Sequence, residues 1–265
     1  MNIYIHELKA NLKGIIMWIL ALSGLASVIM CLFPVINEDI DKFIKILDNF
    51  HPAMKAAFGM VTENFTSAIG FYSFTFVYSS LFGAIQAMNL GIGIISKEER
   101  ERTADFLMTK PVSRSKILIC KLMASLTIFT VTNVIYTIIT APLVAGMSES
   151  NFEAEKFALI NCSLFILQLV FFSIGLIIAV AARKIKSVLP ISLGLVFMFY
   201  TLSAFAVSSP DDKLRYITPF QYFKTDYILA EGRFETAYLI TAAIIVTTAV
   251  AGSFILYNRR DIHAV

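Results

Sequence analysis

Six apolar runs, at about 14–36, 68–95, 117–143, 157–182, 188–207 and 237–257, leave this chain very few ways to fold. Each has about 20 residues or more, enough at 1.5 Å per residue to cross a hydrocarbon core of about 30 Å. No water is present there to solvate peptide groups, so each crossing segment has to close its hydrogen bonds internally as an α-helix. The composition agrees, with 57% hydrophobic residues and 15% charged, against about 25% charged in soluble domains. The expected fold is all-α: one polytopic transmembrane domain over 1–265 with six spanning helices. The first run, about 23 residues, is longer than a signal-peptide core of about 7–15, so it reads as an uncleaved span.

Charge placement sets the expected orientation. The N-terminus, the 96–121 segment, the 183–187 loop and the C-terminal tail together carry 14 of the 22 basic residues. By the positive-inside rule both termini and the 96–121 segment are expected to be cytoplasmic. Residues 1–13 have two readings: an amphipathic helix in the headgroup region, with Ile5, Leu8 and Leu12 on one face, or a plain extension of the first span. On the opposite side, Ile36, Ile40, Phe43, Ile44 and Leu47 recur at helical spacing against Glu38, Asp39, Asp41, Lys45 and Asp48, predicting a surface amphipathic helix. Residues 210–235 mix Tyr216, Phe220, Tyr222, Phe223 and Tyr227 with charge, as boundary segments do. The Thr218-Pro219 pair predicts two short helices there, forming an outer-leaflet hairpin before the last span.

The 96–116 segment is a charged island between apolar runs. Ser96 and Glu99 have the form of a capping box, which predicts a helix starting there. Glu98, Glu101, Arg102 and Asp105 share one face of that helix. Pro111 breaks it, and a restart is expected near Ser113. The order Glu-Arg-Thr (101–103), Phe106-Leu107, Thr109-Lys110-Pro111-Val112-Ser113-Arg114 and Lys121-Leu122 resembles the cytoplasmic loop of type 2 ATP-binding-cassette (ABC) permeases. Where that family usually has Gly before the Thr, this chain has Arg102. The aromatic hairpin with Thr218-Pro219-Phe220, and the ending Tyr257 to Ile262, are similar to the same family.

The resemblance implies that residues 97–108 form a coupling helix docking into a groove of a separate ATPase subunit. Glu98, Glu99, Arg102, Thr103 and Asp105 would contact the ATPase, and Pro111, Val112, Ser113 and Arg114 would fix the turn back into the bilayer. It also implies a second permease copy or a homologue as partner, ATP and Mg²⁺ bound by the ATPase rather than by this chain, and a bacterial plasma-membrane location. Amphipathic or hydrophobic cargo, such as a membrane-active peptide or lipophilic antibiotic, would be exported.

The residues themselves narrow the chemistry. The chain has no G-x-x-x-x-G-K-[ST], no H-E-x-x-H and no G-x-S-x-G, so no P-loop, zincin or hydrolase motif is present. His6, His51 and His263 lie outside the runs and far apart, and Cys31, Cys120 and Cys162 have no paired spacing, so neither a metal site nor a disulfide is expected. No basic cluster interleaved with aromatics points to nucleic acid. The runs contain no Asp, Glu, Lys, Arg or His away from their ends, where one would cost about 2.5–3.5 kcal/mol and would mark an ion-coupled carrier. Among the amides inside the runs, Gln86, Asn89, Asn133 and Gln168 are candidates for a weakly polar pathway; interhelical hydrogen bonding is the competing role for them and for Asn161. Gly91-Ile92-Gly93 reads as close helix packing or as a flexible point. An ATPase-independent carrier or channel and a non-transporting scaffold or sensor stand as alternatives.

Overall fold

The computed structural model describes residues 3–50, 54–55, 58–59, 65–100, 113–148, 152–182, 185–208 and 212–259. All the regular structure among them is helical. The elements are α1 (Ile3–Met30), α2 (Phe33–Glu38), α3 (Ile40–Asp48), α4 (Ala68–Arg100), α5 (Arg114–Met147), α6 (Ala154–Ala181), α7 (Val188–Ser208), α8 (Thr225–Glu231) and α9 (Thr236–Arg259), with 3-10 turns at Asp212–Ile217 and Pro219–Gln221. Six of the helices are long and apolar enough to cross a membrane, and they coincide with the six runs. Leu20, Val28, Ile138 and Phe205 are each more than 60% exposed on the outside of the bundle. That surface suits acyl chains and would be untenable in water.

Two helices form the axis. Within their most apolar windows α4 and α6 are 67% and 61% buried, while the other four spans reach only 17–33%. Small residues explain why this pair lies at the centre. A Cβ on Gly91 would collide with the carbonyl oxygen of Phe172, and one on Gly175 would lie 2.9 Å from the carbonyl oxygen of Met88. The two backbones therefore meet directly, each through the other's glycine, as small residues permit between membrane helices. Higher up, a Cβ on Gly83 would lie 2.6 Å from Leu164. Of the two readings for Gly91-Ile92-Gly93, close packing holds at Gly91; at Gly93 a Cβ would meet nothing within 4 Å. The remaining spans pack around this axis, α1 against α5 and α4, α7 against α4, and α9 against α6.

Local chemistry marks several ends. The Ser113 hydroxyl accepts from the Lys116 amide at 3.3 Å and caps α5, placing the restart where the sequence predicts it. Gly232, with φ 64°, closes α8 in the left-handed conformation, its N–H donating to Ile228. The expected surface helix is present as α2 and α3, and Leu47 is buried among Phe33, Phe65 and Phe71. The expected hairpin is present as the 3-10 turns and α8, interrupted at Thr218-Pro219.

Two expectations change. No helix begins at Ser96: α4 runs through it to Arg100, and the Ser96 hydroxyl donates back to the carbonyl of Ile92 at 2.8 Å. Continuing an existing helix adds one bond per residue fixed, whereas starting one needs a costly nucleus, so the capping pattern is overridden. At the N-terminus, residues from Ile3 onward continue the first span as one helix, the extension rather than a separate interfacial piece.

Replacing Gly91 or Gly175 by leucine is expected to force α4 and α6 apart, destabilising by about 1–3 kcal/mol or more. Thermal unfolding in detergent should show a clear drop in Tm for either variant and none for Gly93→Ala.

Candidate functional site

One end of the bundle gathers the start of α1, the end of α4, the start of α5 and the start of α7, and among the described residues Lys9, Lys13, Lys97, Arg114, Lys116 and Lys121 belong to it. The charged segment leaves and re-enters the bundle at this basic end. Its first part, Lys97 to Arg100, continues α4 as helix, which places Glu98 and Glu99 on the same rod as Gly91. Arg102, Thr103, Asp105, Pro111 and Val112 lie outside the described residues. Ser113 and Arg114 form the cap and first residue of α5.

At this basic end lies an ion pair that sequence reading missed. Lys121, counted with the loop charges, is 1% exposed two turns into α5, because that helix already begins at Arg114. Its ammonium sits 3.2 Å from Glu7 Oε1 on α1 and donates to the carbonyl of Ile94 on α4. Three helices are thereby joined nearly two turns before the end of α4. Glu7 is itself 4% exposed, and its Oε2 has no hydrogen-bond partner. The available signal was positional: Glu7, Asn11 and Trp18 recur at helical spacing on α1 as its polar or amphipathic stripe.

Next to this pair is a cavity of about 290 Å³ between α1, α4, α5 and α7. Glu7 and Lys97 stand at its basic end, and Trp18, Gln86 and Ile128 at its inner end. Gln86 and Asn89, two of the residues singled out in the sequence, line it. Gln86 also begins a chain of amides across three spans. Its Nε2 donates to Thr132 at 3.3 Å, Gln168 Nε2 donates to its Oε1 at 3.1 Å, and Asn133 Nδ2 donates to Gln168 Oε1 at 2.5 Å. Asn133 and Gln168 thus sit inside the α4–α5–α6 packing, away from the cavity wall. A second network holds Tyr72 3.0 Å from Asn161 Oδ1 and 3.2 Å from Tyr136, whose hydroxyl donates to Ser79 at 2.8 Å.

At the opposite end, Arg215 pairs with Glu235 at 2.7 Å and stacks 4.2 Å above the Tyr238 ring, which ties the hairpin to the start of α9. Burial, and then the neighbouring Tyr238, push Tyr222 up to about 12, so it stays a protonated donor to the Tyr216 carbonyl. A smaller cavity of about 200 Å³ lies there, lined by Ser73, Ser80, Ser163, Tyr200 and Gln221 among others. Among the described residues no group of His, Cys, Asp or Glu is arranged to hold a metal.

Removing one charge of the buried pair leaves the other stranded, which typically costs about 3–5 kcal/mol, whereas removing both is close to neutral. Lys121→Met alone should therefore lower the detergent Tm sharply, and Glu7→Gln combined with Lys121→Met should restore most of the loss. Equal Tm for the single and double variants would contradict the pairing.

The arrangement is that of a membrane helix bundle in which two long spans, α4 and α5, end and begin at the same basic end. The family model described as ABC-2 family transporter protein matches residues 1–262. No curated protein matches the chain. With a match over nearly its whole length, and six spanning helices to go with it, this multi-pass membrane protein belongs to the ABC-2 transporter family.

Proposed function

We propose that the chain is the permease subunit of an ATP-driven exporter, working with separate ATPase subunits and with a second permease, identical or homologous. Both termini and the 96–116 segment would face the cytoplasm, in line with the bias of Lys and Arg toward that end. ATP and Mg²⁺ would be held by the ATPase, with this chain supplying the surface that the ATPase grips.

The observation that carries this reading is the mechanical connection of the charged segment. α4 runs unbroken from Ala68 to Arg100, and α5 restarts at Arg114 under the Ser113 cap. A pull on the chain between them would act on both helices, and the Lys121 contact to Ile94 joins these two helices near that end. From there the rod reaches the Gly91–Gly175 crossing, where two backbones in direct contact slide or rotate together but have no side chains to compress. Closure of the ATPase dimer would move Glu98, Glu99, Arg102, Thr103 and Asp105, with Pro111 to Arg114 holding the turn, and change the packing of α4 and α7 at the interface between permeases. Gln86 and Asn89 on the cavity wall would belong to the cargo route. Their mixture with Trp18, Ile15 and Leu90 suits an amphipathic or hydrophobic cargo, such as a membrane-active peptide or lipophilic antibiotic.

A carrier working without ATPase has one observation in its favour, the carboxylate of Glu7 at the cavity. Among the described residues that ion pair is confined to one end of the bundle, so it offers no relay across the membrane.

Glu99→Lys and Arg102→Glu are expected to reduce co-purification of the ATPase by at least about tenfold, a loss of about 1.4 kcal/mol in binding, and to abolish ATP-dependent flux in proteoliposomes. Undiminished flux with both reversals in place, or flux by the purified chain without ATPase, would refute the reading.

A further inference from the structure

The cavity at the basic end has the chemistry of a ligand site, beyond any role in a cargo route. Its volume of about 290 Å³ is near the lower end of small-molecule sites, about 300 Å³. Glu7 supplies a carboxylate oxygen, Oε2, that is buried and has no partner, while Oε1 is taken by Lys121. An acceptor left in that condition costs about 1–3 kcal/mol, more when charged, so a donor brought to it is favoured. Lys97 lines the same end of the cavity, and among the described residues no hydrogen bond or ion pair holds its ammonium. A carboxylate and an ammonium are thus brought to the same end of the cavity.

The rest of the cavity is long and mixed in character, with Ile15, Trp18, Leu90 and Ile128 interspersed with Asn11, Gln86 and Asn89. It follows α1 from Glu7 to Trp18 and α4 from Lys97 to Gln86, eleven residues on each helix and therefore about 16 Å. Met17 on its wall is 58% exposed on the outer surface of the bundle, so this side opens toward lipid. Gly14 and Gly93 also line it, and a Cβ on either would meet nothing within 4 Å. The two glycines keep the groove open without being needed for helix packing.

We propose that this groove binds a phospholipid whose headgroup carries a primary ammonium next to its phosphate, a phosphoethanolamine lipid. The ammonium would donate to Glu7 Oε2, the phosphate would pair with Lys97, and an acyl chain would lie along Leu90, Ile15 and Trp18. Lipid is favoured over a peptide amine because both charges stand at the end of the apolar runs, where headgroups sit, and because Lys97 calls for an adjacent anion that a peptide amine lacks. A fully methylated choline head has no N–H to donate and an unchanged phosphate, so it isolates the Glu7 contact.

Trp18 is the only tryptophan in the chain, and it provides the reporter. Its emission is followed in the detergent-solubilised full chain during titration with dioctanoyl phosphatidylethanolamine, dioctanoyl phosphatidylcholine, or an amphipathic peptide with a free N-terminal amine. The ethanolamine lipid is expected to give a saturable change, with the choline lipid at least about tenfold weaker, as for the loss of one charge-assisted hydrogen bond. Glu7→Gln with Lys121→Met, expected to retain most of the stability, should cut that difference severalfold, because a neutral amide oxygen accepts more weakly than a carboxylate. Lys97→Gln should weaken the ethanolamine lipid by about three- to tenfold. Gly93→Leu, whose side chain grows into the open space, should abolish the response while Tm holds. Equal binding of the two lipids, no saturable change with either, an unaltered response in Gly93→Leu, or binding of the peptide alone would each overturn the assignment. None of these measurements involves the ATPase, so their failure would leave the coupling reading standing, and its failure would leave them untouched.

Discussion

Direct contact between the backbones of α4 and α6 is the constraint on which the rest of this bundle depends. In hydrocarbon there is no hydrophobic gain from bringing two apolar helices together, so association has to come from close packing and hydrogen bonds. Gly91 and Gly175 provide the packing, since neither backbone could approach the other if a Cβ were added. Once that crossing is set, Gln86 and Gln168 are brought within 3.1 Å of each other, and Thr132 and Asn133 of α5 complete the amide chain. Tyr72, Tyr136 and Asn161 repeat the arrangement along the same three helices.

The bundle treats its polar groups differently at its two ends. In the middle, most of the amides and hydroxyls pair with one another or bond back to their own helix, as Ser79, Ser125 and Ser253 do, while Ser23 Oγ and Asn133 Oδ1 have no partner. At the basic end a full ion pair is buried, and a carboxylate oxygen of Glu7 remains unpartnered beside a cavity. At the hairpin end Arg215 is held by Glu235, the Gln221 carbonyl and the Tyr238 ring together. Both ends therefore fix a loop or terminus to the spans through charge, and each keeps one buried polar atom without a hydrogen-bond partner, Glu7 Oε2 at the basic end and Arg215 Nε at the hairpin.

How much of this was legible beforehand follows from the range of each interaction. The spans were readable because length and apolarity are local properties, and the α3 helix because its periodicity is local too. The Thr218-Pro219 break and the Ser113 restart were readable from the stereochemistry of proline and of capping. Gly91 could be recognised as a packing residue, but which helix it met could not. Ser96 shows a local signal outweighed by the helix already running into it. Glu7 and Lys121 are 114 positions apart, and no periodicity links them; in sequence Lys121 looked like the last of the loop charges. Asn133 and Gln168 were visible as polar residues in apolar runs, while their partners depend on how three helices rotate against each other. For Arg102, Thr103, Asp105, Pro111 and Val112 the reading still rests on pattern and family.

The spans differ in length, and the surrounding membrane has to accommodate this. α4 and α5 have 33 and 34 residues, about 50 Å of rod each, while α7 has 21, about 32 Å. α7 matches a hydrocarbon core of about 30 Å, so the surplus length of α4 and α5 is taken up by tilt or by their charged ends, Lys97 to Arg100 and Arg114 to Lys116, standing beyond the core. Each ångström of disagreement costs a fraction of a kcal/mol. Rocking the long rods against the short one changes that elastic load, which makes the thickness of the host bilayer one of the forces setting the resting pose of the bundle.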